Sequence, residues 1–183
     1  MMRLSRSLLL VGLAISLACF AASAQKRKSG AAKQTKQVVA APKVEPINTE
    51  GIKALISRQN EKPLLVNFWA TWCDPCRDEF PDLVKIDSEF RSKSLDFVTV
   101  SLDDVGDIKT TVPKFLASMK ASMPAYLLSD SDPEPAINAI DPKWQGDLPA
   151  TFLYNAKGEV VYKHFGRINT VELRQAITEL ITN

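Results

Sequence analysis

With 183 residues, 45% of them hydrophobic and 24% charged, the chain has the size and composition of one globular domain and is too short for two comfortable ones. Its net charge of +2 hides a split: residues 1–44 carry eight Lys or Arg and no acid, whereas residues 45–183 carry the other 15 basic residues against all 21 acids, a net of −6. A folded part that is acidic excludes the broad basic face of a nucleic-acid binder, so no nucleic-acid partner is expected.

The leader comes first. Arg3 and Arg6 precede an apolar run from Leu8 to Phe20, and Ala22-Ser23-Ala24 offers small residues for cleavage before Gln25. Residues 1–24 therefore read as a secretory signal peptide. The apolar run is shorter than the ~20 residues that a membrane-spanning helix needs, which favours cleavage over a retained anchor. Cys19 offers a third route, lipid attachment, although Ser16-Leu17-Ala18-Cys19 is a poor match to a bacterial lipobox. Residues 25–45 are polar and basic without helical or strand periodicity, and they read as a flexible tether. The alternative for this segment is an electrostatic contact with anionic lipid, which would leave the protein tethered at a membrane.

Residues 46–183 carry the periodic segments. Asn48 or Thr49 can cap a short helix whose apolar face is Ile52, Leu55 and Ile56. Pro63 opens a buried strand, Leu64 to Ala70. A longer helix after the cysteines places Phe80, Leu83, Val84 and Phe90 on one face. Leu95 to Leu102 reads as a second strand, Asp107 to Met119 as one helix, and Ala125 to Ser129 as a third strand. The polar, proline-rich stretch Asp130 to Asp147 holds one short helix at Pro133 to Ile140. Two strands, Thr151–Asn155 and Glu159–Phe165, flank the turn signal Ala156-Lys157-Gly158. A closing helix aligns Leu173, Ala176, Ile177, Leu180 and Ile181. Strands alternating with helices predict an α/β fold, a central mixed sheet flanked by helices, with an antiparallel hairpin at its edge.

The chemistry sits in "LVNFWATWCDPCRDEFP", Leu65 to Pro81, where Cys73 and Cys76 stand at the junction of a strand and a helix. With Cys19 in the leader, they are the only cysteines of the folded part. Two cysteines and a single histidine, His164, cannot complete a four-ligand structural zinc site within one chain. A bridge across so short a loop also removes little unfolded-state entropy, which argues against a mere staple. A redox pair remains. Unpaired N–H groups and the dipole at the helix start stabilise a Cys73 thiolate, the attacking form. Cys76, three residues on, can resolve a mixed disulfide, and Pro75 suits the first helical turn. Asp74 beside Cys73 works against the thiolate.

Trp72-Cys73-Asp74-Pro75-Cys76 resembles a thioredoxin-fold active site, and WCDPCRDEFP resembles the exported thiol-disulfide reductases of the TlpA/ResA type. The resemblance covers residues 47–182 in element order and implies a thioredoxin-like domain over 46–183, with an insert before a cis-proline. It implies that Glu79, three residues after Cys76, tunes thiol protonation, a role that Asn67, at thioredoxin's buried-acid position, cannot take. It implies that Pro149 in "GDLPATFLY" is cis and shields the thiols from metal, that the backbone of Leu148 pairs with an extended substrate, and that Trp72 shapes the rim around Cys73. Trp69 reads as core. Trp144 and Gln145 either border the active site or pack the insert. The chain departs from many family members in starting with a helix rather than a β-hairpin.

The expected activity is thiol-disulfide exchange in the periplasm or cell envelope, with the protein as a reductant of protein disulfides. The expected partners are protein thiol or disulfide substrates and an upstream membrane electron donor. No cofactor beyond the Cys73–Cys76 disulfide and no metal is expected. The alternative is copper delivery or metal-site thiol maintenance on the same fold, for which His164 is the one imidazole; its alternating surroundings, VVYKHFG, read as an edge strand instead.

Overall fold

The computed structural model describes residues 42–58 and 62–182; the expected leader, Cys19 and most of the expected tether lie outside the described residues. In chain order the elements are β1 (Val44–Ile47), α1 (Thr49–Ile56), β2 (Leu64–Trp69), α2 (Asp74–Phe90), β3 (Asp96–Ser101), α3 (Thr111–Ser118), β4 (Ala125–Leu128), α4 (Glu134–Ile140), β5 (Ala150–Tyr154), β6 (Val160–Phe165) and α5 (Thr170–Thr182). They build one six-stranded sheet in the order β1-β4-β3-β2-β5-β6. The first four strands of that order run parallel, and β5 and β6 run antiparallel to their neighbours. This is the expected mixed sheet with its terminal hairpin; Gly158 takes φ +81° in the turn, a backbone that side chains rarely adopt.

Strand β2 lies at the centre, and all six of its residues are buried. Its period of two divides them between two cores. Leu64, Val66 and Phe68 pack with Ile52 of α1 and with Ala136 and Ile140 of α4. Leu65 and Trp69 point the other way, into the core made with α2, α3 and α5 through Leu83, Leu116 and Ile177. Trp69 is core as expected, its ring 4.7 Å from that of Phe80 and 4.8 Å from that of Phe115. Fully burying side chains of this size contributes about 1.5–3 kcal/mol each. Asn67 shares the Leu65–Trp69 face by the same alternation, which directs it at α2.

Asn48 caps α1, its side-chain oxygen accepting the Gly51 N–H at 2.9 Å. Thr49 instead donates its N–H and its hydroxyl to Asp130, each at 2.6 Å.

Two expectations need correction. The chain does not enter the sheet through a helix: β1 precedes α1 and pairs with β4, so the sheet takes in Val44 and Glu45, inside the expected tether. A four-residue edge strand containing Pro46 is too short to display alternation, and its pairing exists only once β4 is in place. The expected helix Asp107–Met119 is a 3₁₀ turn at Val105–Lys109 followed by α3, with a break at Thr110 (φ −123°, ψ −86°). Pro113 has no N–H for the carbonyl four residues back, so the helix restarts with Pro113 in its first turn. Of the two readings open for Trp144, packing the insert holds: it is 2% exposed, its ring centroid lies 5.0 Å from that of Phe68, and its Nε1–H donates to the Asp147 carbonyl at 2.9 Å.

Candidate active site

After Trp69 the backbone crosses the carboxyl end of the sheet through Ala70-Thr71-Trp72 and reaches Cys73 in an extended conformation. Cys73 is the N-cap of α2. Its sulfur accepts the N–H of Cys76 at 3.2 Å, satisfying one of the donors that a helix start leaves unpaired. Asp74 and Pro75 occupy the first helical turn, where the missing proline N–H costs nothing. Cys73 and Cys76 form a disulfide with Cα atoms 5.3 Å apart. Cys73 keeps 6% of its surface and Cys76 none, so of the two residues only Cys73 has any exposure. The Asp74 side chain is 89% exposed and lies 3.6 Å from Arg77, where solvent screens its influence on the thiols.

Asp103 holds the approach to Cys73, and no local pattern in the sequence singles it out. Its carboxylate accepts the Thr71 N–H at 2.9 Å, the Thr71 hydroxyl at 2.6 Å and the Ser101 hydroxyl at 2.5 Å, while its own N–H donates to Ser101 Oγ at 3.0 Å. Asp103 is 5% exposed, so these donors depend on it. Asp103→Ala should cost about 3 kcal/mol, because donors facing a charged acceptor lose their partner away from water. It should also speed alkylation of reduced Cys73 by freeing the loop. Unfolding midpoints and alkylation rates that match wild type would contradict this anchoring role.

Glu79 lies one turn beyond Cys76 on the same side of α2. The residue is wholly buried. One carboxylate oxygen accepts from Asn67 Nδ2 at 3.0 Å and the other from the Ile168 N–H at 2.9 Å. Burial pushes the carboxyl from 4.5 up to about 7; the Ile168 and Asn67 donors and the Arg167 guanidinium oppose that rise, and Asp82 adds to it. A carboxyl poised there can hold or release a proton at neutral pH.

The Leu148–Pro149 bond is cis, Pro149 is buried and Leu148 half-buried. A groove of about 490 Å³ runs past Leu148, lined among others by Trp72, Leu102, Asp104, Ile137 and Gln145. Trp72 stands 67% exposed on its rim. Thus Gln145 borders the site while Trp144 packs the insert beneath it. His164 sits on β6, donating from Nε2 to the Arg167 carbonyl at 2.9 Å, its ring stacked over Tyr162. Among the described residues no group of three His, Cys, Asp or Glu side chains is placed to hold a metal ion, and no helix is long and apolar enough to cross a membrane.

The chain is 34% identical over 114 residues to the thiol-disulfide oxidoreductase ResA of Bacillus subtilis (strain 168), a match covering 62% of this chain and 59% of ResA. It therefore spans about three-fifths of that relative's length. The sporulation thiol-disulfide oxidoreductase A of the same organism is 29% identical over 147 residues, covering 80% of this chain and 85% of its own. Among solved structures, StoA from Bacillus subtilis superposes with a TM-score of 0.52 at 26% identity, over 64% of this chain and 83% of StoA. A thioredoxin family thiol:disulfide interchange protein from Chlorobium tepidum TLS shares the fold, with a TM-score of 0.56 at 24% identity over 78% of this chain and 95% of that one. The family model for AhpC/TSA proteins matches residues 38–163, more than half of the sequence. On that match, and with a thioredoxin fold carrying a dithiol at the start of its first long helix, the chain belongs to the AhpC/TSA family.

Proposed function

We propose that this protein is a thiol-disulfide oxidoreductase of the bacterial cell envelope that reduces protein disulfides through Cys73 and Cys76. The observation that carries the reading is the Cys73–Cys76 disulfide at the N-terminus of α2, with Cys73 the less buried of the pair and a buried Glu79 one turn behind. In the reduced protein the Cys73 thiolate attacks a substrate disulfide, forming a mixed disulfide and expelling one substrate thiolate. Cys76 then loses its proton to Glu79 and attacks Cys73 Sγ. The second substrate sulfur leaves as thiolate and takes up a proton. Two electrons have passed to the substrate, and Cys73–Cys76 is again a disulfide. A donor dithiol, expected at the membrane, restores the reduced pair.

Trp72 and Leu148 line the groove, Pro149 follows Leu148 across the cis bond, and the three form the substrate surface in this reading. The leader at 1–24 supports export, and the basic segment before the domain supports a tether at the membrane. The likeness to proteins named thiol-disulfide oxidoreductases supports the reaction class. His164 is engaged with Arg167 and Tyr162, which leaves copper delivery without a supporting arrangement.

The test is reduction of a disulfide-bonded protein by dithiothreitol with and without this protein, followed by its reduction potential. Catalysed reduction with a potential near thioredoxin's ~−270 mV fits a reductant, whereas one near ~−120 mV makes it an oxidant. No acceleration over dithiothreitol alone rejects the reading.

A further inference from the structure

Both oxygens of Glu79 face N–H donors. Oε2 receives the Ile168 backbone N–H and Oε1 the amide nitrogen of Asn67. That arrangement fits a carboxylate, which only accepts; a protonated carboxyl must turn its O–H toward an acceptor. The backbone N–H of Ile168 cannot supply one. Asn67 can, because its side-chain amide carries an oxygen and a nitrogen at nearly equivalent positions.

Asn67 has polar cross-strand neighbours on both sides. It is fully buried at the centre of β2, directly opposite Thr99 on β3 and Thr151 on β5, both also fully buried. Direct cross-strand neighbours share a face, so the three polar side chains form one row beneath α2. Asn67 Nδ2 also donates to Thr151 Oγ1 at 3.0 Å. Two atoms of the row, Asn67 Oδ1 and Thr99 Oγ1, have no hydrogen-bond partner among the described residues. Such orphans in a buried site are costly and call for an explanation.

We infer that Asn67 is a positioning residue for proton exchange at Glu79: its amide turns over when Glu79 takes up a proton, presenting Oδ1 to the new O–H and swinging Nδ2 toward Thr99. The inference rests on the proton-handling reading of Glu79 and adds the group that lets a wholly buried carboxyl keep a partner in both states. In the turned state Oδ1 accepts from Glu79 and from the Thr151 hydroxyl, and Nδ2 faces the Thr99 side of the row. The proton comes from Cys76 during exchange, or from water in the disulfide form. The other groups facing Glu79 keep their places: Arg167 and Asp82, 4.0 Å apart, and Tyr162 on β6. Because a charged acceptor gains more from a hydrogen bond than a neutral one, Asn67 still favours the ionised form overall.

The experiment uses the isotopically labelled full chain in its disulfide form, where neither thiol titrates. The Glu79 carboxyl and the Asn67 side-chain amide are followed by NMR from about pH 5 to about pH 9, either side of the value near 7. The Asn67 amide should shift with the Glu79 midpoint. Its protons should show nuclear Overhauser contacts to the Thr151 methyl above that midpoint and to the Thr99 methyl below it. Contacts that stay with Thr151 at every pH overturn the inference while leaving Glu79's role intact. A Glu79 that does not titrate in the range overturns both. Asn67→Leu, similar in volume and set among apolar neighbours, should keep the fold and weaken Glu79 as an acid about tenfold. An unchanged Glu79 midpoint in that variant also overturns the inference; should the variant not fold, the wild-type contacts still decide.

Discussion

Cys76→Ala should accumulate mixed disulfides with substrate through Cys73, while Cys73→Ala should fall to the rate of uncatalysed exchange and trap nothing. The asymmetry follows from placement. Cys73 caps α2, keeps some exposed surface where Cys76 has none, and accepts the Cys76 N–H, so its thiolate is the more reachable and is stabilised. Cys76 is sealed inside the helix and meets only what Cys73 has already bound. Non-reducing electrophoresis of each variant after incubation with a disulfide-bonded protein reads the outcome. Equal trapping by both variants would reject the assignment of attacking and resolving roles.

Glu79→Gln should change both reactivity and stability, and in a pH-dependent way. Folding raises the carboxyl from 4.5 to about 7. Between those values the native protein holds a proton that the unfolded chain has released, so wild-type stability is greatest below about pH 4.5, declines up to about 7, and is then flat with respect to this group. The loss amounts to about 3 kcal/mol. A glutamine side chain does not titrate, so the variant should lack this decline, and its stability relative to wild type should rise by that amount between the two limits. Urea unfolding of the disulfide forms near pH 5 and pH 8 measures it. In the reduced protein, removing the carboxylate also removes a negative charge beside the forming thiolate, so Cys73 should ionise at lower pH. Superimposable alkylation-versus-pH curves for wild type and Glu79→Gln would show that Glu79 does not govern the thiols.

The dithiol, its place between a strand and a helix, and Glu79 one turn on were legible because they are local. A few consecutive residues define the strand, the cap and the helical spacing. Gln145 and Trp144 show the limit of that locality. They are adjacent in sequence, yet one borders the groove and the other is packed against Phe68 and Phe152. Only the packing of the insert against the sheet separates them.

Asp103 and Asn67 show the limit more sharply. In the sequence Asp103 is one acid of a Leu-Asp-Asp stretch after a strand, where solvent is the ordinary destination. It becomes the anchor of the Cys73 approach because β3 lies beside β2, bringing residues 71 and 103 within hydrogen-bond distance. Asn67 reads locally as a polar break in an apolar strand. Its meaning depends on Thr99 and Thr151 from the two flanking strands and on a carboxylate from α2.

By itself, then, the sequence determined the reactive groups and the alternation of elements, because thiol chemistry, capping and periodicity act over a turn of helix or a few residues of strand. The tertiary structure decided the environment of those groups: the edge strand Val44–Ile47, the donors that converge on Asp103, the complete burial of Glu79 and the polar row behind it. The contacts of Glu79 alone join residues 12 and 89 positions apart in a buried site. Where groups are buried, each hydrogen bond or unpaired charge sets the behaviour of its neighbours, and no local pattern records which neighbours those are.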